Sequence, residues 1–512
     1  MTSAASRRFN SPHHAAPRTH LLANGNYCVM VTAAGSGYSR WRDIAVTRWR
    51  EDPTRDPWGF FLLLRDVAGG EVWSAGYQPV GCEPDTYEAA FFEDRAEIIR
   101  ADGSLLTATE ILVSPEVDAE VRRVSITNRG GSAREIEVTS YAEVVLASAG
   151  SDSAHPAFSK MFVQTEFVAS GETLLATRRS REPGDPPLWM FHHCVVTADA
   201  RGAVQFETDR ARFLGRGREL RDAACVVGAE PLSNTTGTVL DPVLALRRRV
   251  RIAPGASARI AFWSGVAPSR SEALALSEQY RDTSAFDRTK SMAATRAAAE
   301  LRRLGIDTGE AQQFQSIANR VLYAESSLRA SREILSRNLS GPPVLWSYGI
   351  SGDLPIVLAQ IDDQAQLEFI EQLLRAHRYW QAKRLAVDLV VLNDCTAPNA
   401  AEFQRKLAAA IGSAPSGGGG GDEPSRGQVL LLSGDSMPPP SRELLKTAAR
   451  AIFNARSGSL HDQLAQAAES NTAPPRQRAR GENTVAPAQA PQAVPALEFF
   501  NGFGGFAAAG RE

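Results

Sequence analysis

The chain has 512 residues, 43% hydrophobic and 22% charged, with a formal net charge of −2 and a sequence pI near 6.5. That length accommodates about two to four domains, and the near-neutral balance excludes the basic footprint of a nucleic-acid or anionic-membrane binder. No apolar run approaches the roughly 18 residues a membrane helix needs, and the opening segment lacks the apolar core of a signal peptide, so the expected location is cytoplasmic with no direct membrane insertion.

In chain order, residues 1–20 are polar, rich in Ser, His and Pro, and are expected to be disordered. From residue 24 to residue 266 the signals are those of strands. Residues 27–32 form an apolar run closed by a Gly-rich turn, and 60–65 form another closed by Ala68-Gly69-Gly70. Residues 121–128 and 133–146, joined by Arg129-Gly130-Gly131-Ser132, read as a hairpin, because Ile136 and Val138 alternate with Glu135, Glu137 and Thr139. Further strands are expected at 160–167, 174–178, 189–197, 245–253 and 258–266, which together make 21–268 one large antiparallel sandwich.

Around Ser271 the pattern changes to Ala/Leu/Arg/Glu-rich segments with apolar residues at helical spacing, a helical region over 269–345. Residues 346–469 alternate between the two kinds of element. Strands at 354–361, 387–392 and 428–432 are each followed by a helix, at 364–384, 401–411 and 442–453. That order implies a small α/β layer with mainly parallel pairing. The fold class is therefore mainly β plus α/β. Within the layer, the Gly-rich stretch 413–427 reads as a flexible loop, and the Pro/Ala/Gln-rich 470–496 as a disordered linker. Residues 497–512 begin something apolar, and their Phe499-Phe500-Asn501-Gly502 faintly repeats 21–25.

The densest chemistry lies in 21–66, LLANGNYCVMVTAAGSGYSRWRDIAVTRWREDPTRDPWGFFLLLRD. Trp41, Trp49 and Trp58 stand there among arginines and acids. Aromatic faces stack on the C–H faces of a sugar, while guanidinium and carboxylate groups take its hydroxyls. The candidate substrate-binding residues are Tyr38, Arg40, Trp41, Arg55, Asp56 and Trp58. The competing reading is that the tryptophans fill a sandwich core and the Arg/Asp pairs tie down a long loop.

Other candidates carry less. His192 and His193 are adjacent on a predicted strand and point to opposite faces, so they do not share a metal. Gly349-Ile350-Ser351-Gly352-Asp353 has Asp where a nucleophile elbow needs its last glycine. The five-glycine run at Gly417 lacks the Gly-Lys-Ser/Thr of a phosphate loop. The five cysteines are scattered without a Cys-x-x-Cys pair, which predicts reduced thiols. Neither a cofactor nor a metal is implied.

Two stretches have specific wording. NGNYCVMVTAAGSGYSRWRDIAVTRWREDPTRDPWGFFLLLRD closely resembles the opening of the β-supersandwich domain in the glycoside hydrolase family 94 group, formerly glycosyltransferase family 36, and in particular the version within bacterial cyclic β-1,2-glucan synthases. LWSYGISGDLPIVLAQIDD, RAHRYWQAKRLAVDLVVLND and LEFFNGFGGF are similar to the segments that lead from one supersandwich to the next in those synthases. The resemblance implies a partial chain, with 497–512 the start of a second, truncated sandwich. It implies as partners a β-glucan oligosaccharide or polysaccharide and the remaining domains of a synthase, which is expected at the inner membrane. In that family an acid in a helical barrel protonates the leaving oxygen while phosphate attacks the anomeric carbon. No stretch of this sequence reads as that barrel, and no acid here matches the catalytic one. Three readings remain: a glucan-binding or glucan-positioning sandwich, an active β-glucan phosphorylase or glycosyltransferase using an acid such as Asp56 or Asp353, and a structural spacer.

Overall fold

Alternating apolar residues dictate the larger part of the molecule, two antiparallel nine-stranded sheets packed face to face. The computed structural model describes residues 6–179, 187–228, 230–396, 398, 400–413 and 427–469. In spatial order the first sheet runs Arg7–Phe9, Thr86–Phe91, Ala96–Asp102, Leu105–Val113, Ala119–Asn128, Ser257–Ala267, Trp189–Thr197, Thr173–Arg178 and Val163–Val168. The second runs Asp199–Asp209, Pro242–Ile252, Arg134–Ser148, Ile44–Thr47, Gly37–Trp41, Tyr27–Thr32 and Thr19–Ala23. Phe61–Asp66 shares the long strand Arg134–Ser148 with Ile44–Thr47 and carries Val72–Ser74 on its other edge.

The inward faces make one core. Ile98, Ile111, Val124, Ile126, Ile260 and Phe262 of the first sheet meet Val29, Val31, Leu62, Leu64, Ile136, Val138, Leu246 and Val250 of the second. Every second residue of a strand points inward, so Ile136 and Val138 are buried here while Glu135 and Glu137 face outward. Gly37 admits no side chain, because a Cβ there falls 1.8 Å from the Met30 carbonyl oxygen and its φ is +151°.

Three expectations change. The runs expected as a hairpin around Arg129-Gly130-Gly131-Ser132 are not partners. Ala119–Asn128 pairs with Leu105–Val113 and Ser257–Ala267 in the first sheet, and Arg134–Ser148 pairs with Pro242–Ile252 in the second. The turn is a corner between sheets, shaped by the Asn128 side chain, which donates to the carbonyls of Ser132 and Ile252 and accepts from the Gly130 N–H. Alternation says which face is buried, not which strand is the neighbour. The second change is at the N-terminus. Residues 6–20, expected to lack structure, include the strand Arg7–Phe9 on Thr86–Phe91, and Thr19 and His20 open the edge strand of the second sheet. Burying Phe9 against Phe91, ring centroids 5.5 Å apart, outweighs the polar composition.

After the sandwich come the helices Arg270–Gln279, Ala285–Leu304 and Thr308–Leu322, then a parallel sheet in the order Val429–Ser433, Asp388–Asn393, Ile356–Ile361, Ala451–Asn454. Here lies the third change. The helix expected over 442–453 stops at Ala448, and Ala451–Asn454 is the fourth strand. Ala451 and Phe453 enter one core and Ile452 packs on another, an alternation of period two that a helix does not supply. Most of the expected loop 413–427, the linker 470–496 and the closing segment 497–512 lie outside the described residues. All described residues fall in the unit Met1–Ala473.

A second core joins sandwich to layer. Leu21, Cys28, Met30 and Tyr38, on the outward face of the second sheet, pack with Phe314, Ile317, Tyr379, Trp380 and Leu389. Beside it the buried Lys383 ammonium bonds Glu93 at 2.7 Å and Glu300 at 2.9 Å, tying a loop of the first sheet, the helix Ala285–Leu304 and the end of the helix Leu367–Ala382. Lys383→Met leaves two carboxylates, each 12% exposed, without their cation, so chemical denaturation is expected to show a loss of about 3 kcal/mol. A loss under about 1 kcal/mol would mean that this tie is not structural.

Candidate functional site

Along this seam runs a cleft of about 860 Å³. One side comes from the sandwich: Arg40 at the end of the strand Gly37–Trp41, Arg42 and Asp43 from the turn after it, and Trp49 and Glu51 from the segment that follows the strand Ile44–Thr47. The other side comes from the loop 342–356, from Gln381 in the last turn of the helix Leu367–Ala382 and Arg384 just after it, and from Leu444, Ala448 and Arg450. Trp346, 60% exposed, is the large apolar side chain of this lining that stands open to solvent. Its indole N–H donates to the Ser351 carbonyl at 3.0 Å, so its polar group is satisfied locally and the ring is held open to solvent. Gly349 and Gly352, at φ +76° and +83°, let the loop turn back to make that bond.

The charged groups of the lining are mostly anchored. Glu51 and Arg450 form a bidentate pair, both contacts 2.8 Å, and Glu51 also accepts from the Ala324 N–H at 2.9 Å. Burial pushes Glu51 up, but Arg450 and that amide prevail and hold it below the usual carboxylate range. It is therefore ionised at neutral pH and poorly suited to donate a proton. Arg384 donates to the Gly25 carbonyl and to Asn26 Oδ1. Asp43 and Asp353 are exposed, placed to accept bonds from hydroxyl groups. The cleft thus combines an aromatic face, fixed guanidinium groups and carboxylate acceptors, a set suited to binding and orienting a polyhydroxylated chain. Among the described residues no cluster of three or more His, Cys, Asp or Glu side chains is placed to hold a metal.

The six residues singled out from the sequence go to different places. Arg40 lines the cleft, and its guanidinium lies 4.3 Å from the centroid of the Tyr38 ring. Tyr38 itself is buried beneath, edge-on to Trp49, whose ring centroid is 5.4 Å away. Trp41 points the opposite way, onto the sandwich core, and donates to Asp118 Oδ2 at 2.6 Å. Arg55 is at the surface, paired with Glu219 at 2.6 Å. Trp58 is half-buried, with Arg50 5.9 Å from its ring. Asp56 is buried and strained at φ +44°, and accepts from Tyr323 at 2.7 Å and Thr32 at 3.0 Å. Since Trp49 donates to the Tyr323 hydroxyl at 3.3 Å, Asp56 supports the Trp49 side of the cleft from behind.

Trp346, Arg384 and Arg450 went unnoticed in the sequence. Trp346 sits in one of the family-like stretches, and that was its only signal. His192 and His193 are both buried, His192 hydrogen-bonded to Ser140 and Ser264, and burial drives them down to about 4 and about 3.

Comparison with known proteins places the chain in a family. It belongs to the glycosyl hydrolase 94 supersandwich family, whose model matches residues 3–283. It is 38% identical over 502 residues to the cyclic beta-(1,2)-glucan synthase NdvB of Rhizobium meliloti (strain 1021), a match covering 96% of this chain and 18% of that protein. It is 28% identical over 284 residues to the N,N'-diacetylchitobiose phosphorylase of Vibrio furnissii, covering 54% of this chain and 34% of the other. The chain thus spans 18% and 34% of the length of these two curated relatives. Among solved structures, a bacterial glucoamylase complexed with acarbose aligns with a TM-score of 0.38 and 9% identity over 63% of this chain and 44% of its own.

Burial, opposed by the Tyr323 and Thr32 hydrogen bonds, raises Asp56 from 3.8 to about 6. A carboxyl whose folded pKa is raised contributes stability that is fully present below its unfolded pKa and lost as pH rises through the folded one. Asp56→Asn removes that dependence. The stability difference between parent and variant is therefore expected to shift in the variant's favour by on the order of 2 kcal/mol between pH 3.5 and pH 7, read by urea denaturation at both. A difference independent of pH would place the Asp56 pKa in the ordinary range.

Proposed function

We propose that this chain is a glucan-positioning module, holding a β-glucan segment in the cleft between sandwich and α/β layer for chemistry carried out on other domains. The observation that carries the reading is the open ring of Trp346, with its N–H already bonded, in a cleft lined by Arg40, Arg384, Arg450, Asp43 and Asp353. A flat ring with no polar demand of its own suits the apolar face of a pyranose, and the flanking charged groups suit its hydroxyl edge. The name of the relative of highest identity given above, a cyclic beta-(1,2)-glucan synthase, supports a β-1,2-linked glucan as the ligand. The ionised state of Glu51 supports binding over proton transfer at this site.

Of the six residues proposed from the sequence, this reading keeps Arg40 as a ligand contact and Tyr38 as the ring beneath it. Asp56 acts through Tyr323 and Trp49. The packing of Trp41 favours a core role, and Arg55 and Trp58 are not used.

Titration calorimetry of the purified chain with linear β-1,2-glucan oligosaccharides tests this. The parent is expected to bind. Trp346→Ala is expected to weaken binding about tenfold or more with an unchanged melting temperature, as an exposed aromatic anchor worth over about 1 kcal/mol would. Trp41→Ala is expected to leave affinity intact and to lower stability by about 3 kcal/mol. No binding by the parent would leave the spacer reading standing.

A further inference from the structure

On the outward face of the second sheet, toward the edge opposite Thr19–Ala23, arginines collect around the acid Glu137. Register places Arg65, Glu137, Arg249 and Arg201 directly opposite one another across four adjacent strands, and opposite residues share a face. Arg247 follows on the same face, opposite Thr139. Glu137, 3% exposed, accepts from Arg249 Nη2 at 2.6 Å and Nε at 3.2 Å and from Arg65 Nη1 at 3.3 Å, and lies 4.0 Å from Arg247 Nη1. One carboxylate thus faces three guanidinium groups. The other acids on this face have partners of their own: Asp199 pairs with Arg201 at 2.6 Å, Glu135 stands opposite Arg251, Glu207 accepts from the Thr208 and Asp209 N–H groups and from Ser233, and Glu143 pairs with Arg48 and Arg210.

The surplus charge is built in. Arg247 is 3% exposed and pinned by neutral acceptors: Thr139 at 3.0 Å, the Glu230 carbonyl at 3.3 Å and the Cys225 carbonyl. Carbonyl and hydroxyl groups hold its position, and Glu137, 4.0 Å away and shared with Arg249 and Arg65, offsets its charge only in part. Arg249 and Arg201 are like charges directly opposite, an arrangement that costs stability unless an anion lies between. Among the described residues the Arg65 Nε is buried without a hydrogen-bond partner. The pairing of the strands Asp199–Asp209 and Pro242–Ile252 slips between Arg201 and Gln205. This bulge opens a cavity of about 160 Å³ lined by Glu137, Arg201, Gly202, Gln205, Arg247 and Arg249. That is several times the ~30 Å³ share of one liquid water. Burial, with Arg65 and Arg249 adding to it and Glu137 opposing it, lowers Arg247 from its usual range.

We propose that Arg201, Arg247 and Arg249 form an anion site at this bulge that takes a phosphate-class oxyanion, with Glu137 as the positioning residue that aims Arg249 and Arg65. Guanidinium forks match tetrahedral oxyanions through paired N–H donors, and a dianion supplies the charge that Glu137 alone does not. The site is separate from the glucan cleft and does not rest on that reading.

The test is titration calorimetry of the whole chain at low ionic strength with inorganic phosphate, glucose 6-phosphate and acetate as probes, and potassium chloride as an ionic-strength control. Saturable binding of inorganic phosphate at millimolar concentration or below is expected, with acetate at least tenfold weaker. Comparable binding of glucose 6-phosphate would extend the site to phosphate esters, whereas binding of phosphate alone would confine it to the free ion. Arg249→Gln and Arg201→Gln, at side chains 37% and 46% exposed, are expected to weaken phosphate binding at least tenfold each; Arg201→Gln is expected to keep the parent melting curve, and Arg249→Gln, which leaves Glu137 to Arg65 and Arg247, to melt cooperatively at a lower temperature. Phosphate heats no larger than those of chloride, or full affinity in both variants with cooperative melting curves, would overturn the proposal.

Discussion

The structure depends on how one edge strand is finished. Thr19–Ala23 ends the second sheet, and an edge leaves a row of main-chain groups without partners. Here the side-chain amide of Gln315 stands in for the missing strand. It donates to the Leu21 carbonyl at 2.9 Å and accepts from the Leu21 N–H at 3.0 Å, while Asn319 one turn on accepts from the Thr19 N–H. Both belong to the helix Thr308–Leu322, which is thereby fixed against the sandwich. The cross-strand row Leu21, Met30, Tyr38 then lies beneath a covered face, and the core that fills the gap includes Trp380 and Tyr379.

From that attachment the cleft follows. Arg40 stands in the next row of the same face, opposite Cys28, at the end where the helical cover stops. The C-terminal end of the helix brings Val321 and Leu322 to the floor and Tyr323 to Asp56. The far side is supplied by the loop carrying Trp346, whose following strand Ile356–Ile361 pairs with Ala451–Asn454, and so Arg450 reaches Glu51. The cleft is therefore a property of the junction. Neither the sandwich nor the parallel sheet has it alone.

Much of this was legible in the sequence, for definite reasons. A continuous apolar run marks 27–32, which is buried on both faces, period-two alternation around Ile136 and Val138 marks the strand read over 133–146, and the strand–helix order of 346–469 implies parallel pairing because short turns do not permit the alternative. Partner choice was not legible. The Arg129–Ser132 turn fits a sheet corner as well as a hairpin, and only the packed core decides. The site was half legible. Strand parity already separates Tyr38 and Arg40 from Trp41, which points to the core, yet grouping all aromatic residues of 21–66 obscured it. Trp346 is distant in sequence from that stretch and meets Arg40 only through the fold. The arginines at 65, 201, 247 and 249 were likewise invisible as a group, since their meeting depends on register across four strands.

The account's central claim, that the seam between sandwich and α/β layer is the glucan-binding surface, is tested most directly by hydrogen exchange of backbone amides with and without a β-1,2-glucan oligosaccharide. Slowed exchange is predicted for peptides covering 40–51, 342–356, 381–386 and 444–450, with the outward arginine face of the second sheet unchanged. Protection confined to the sandwich away from the seam, or no protection at saturating oligosaccharide, would contradict it.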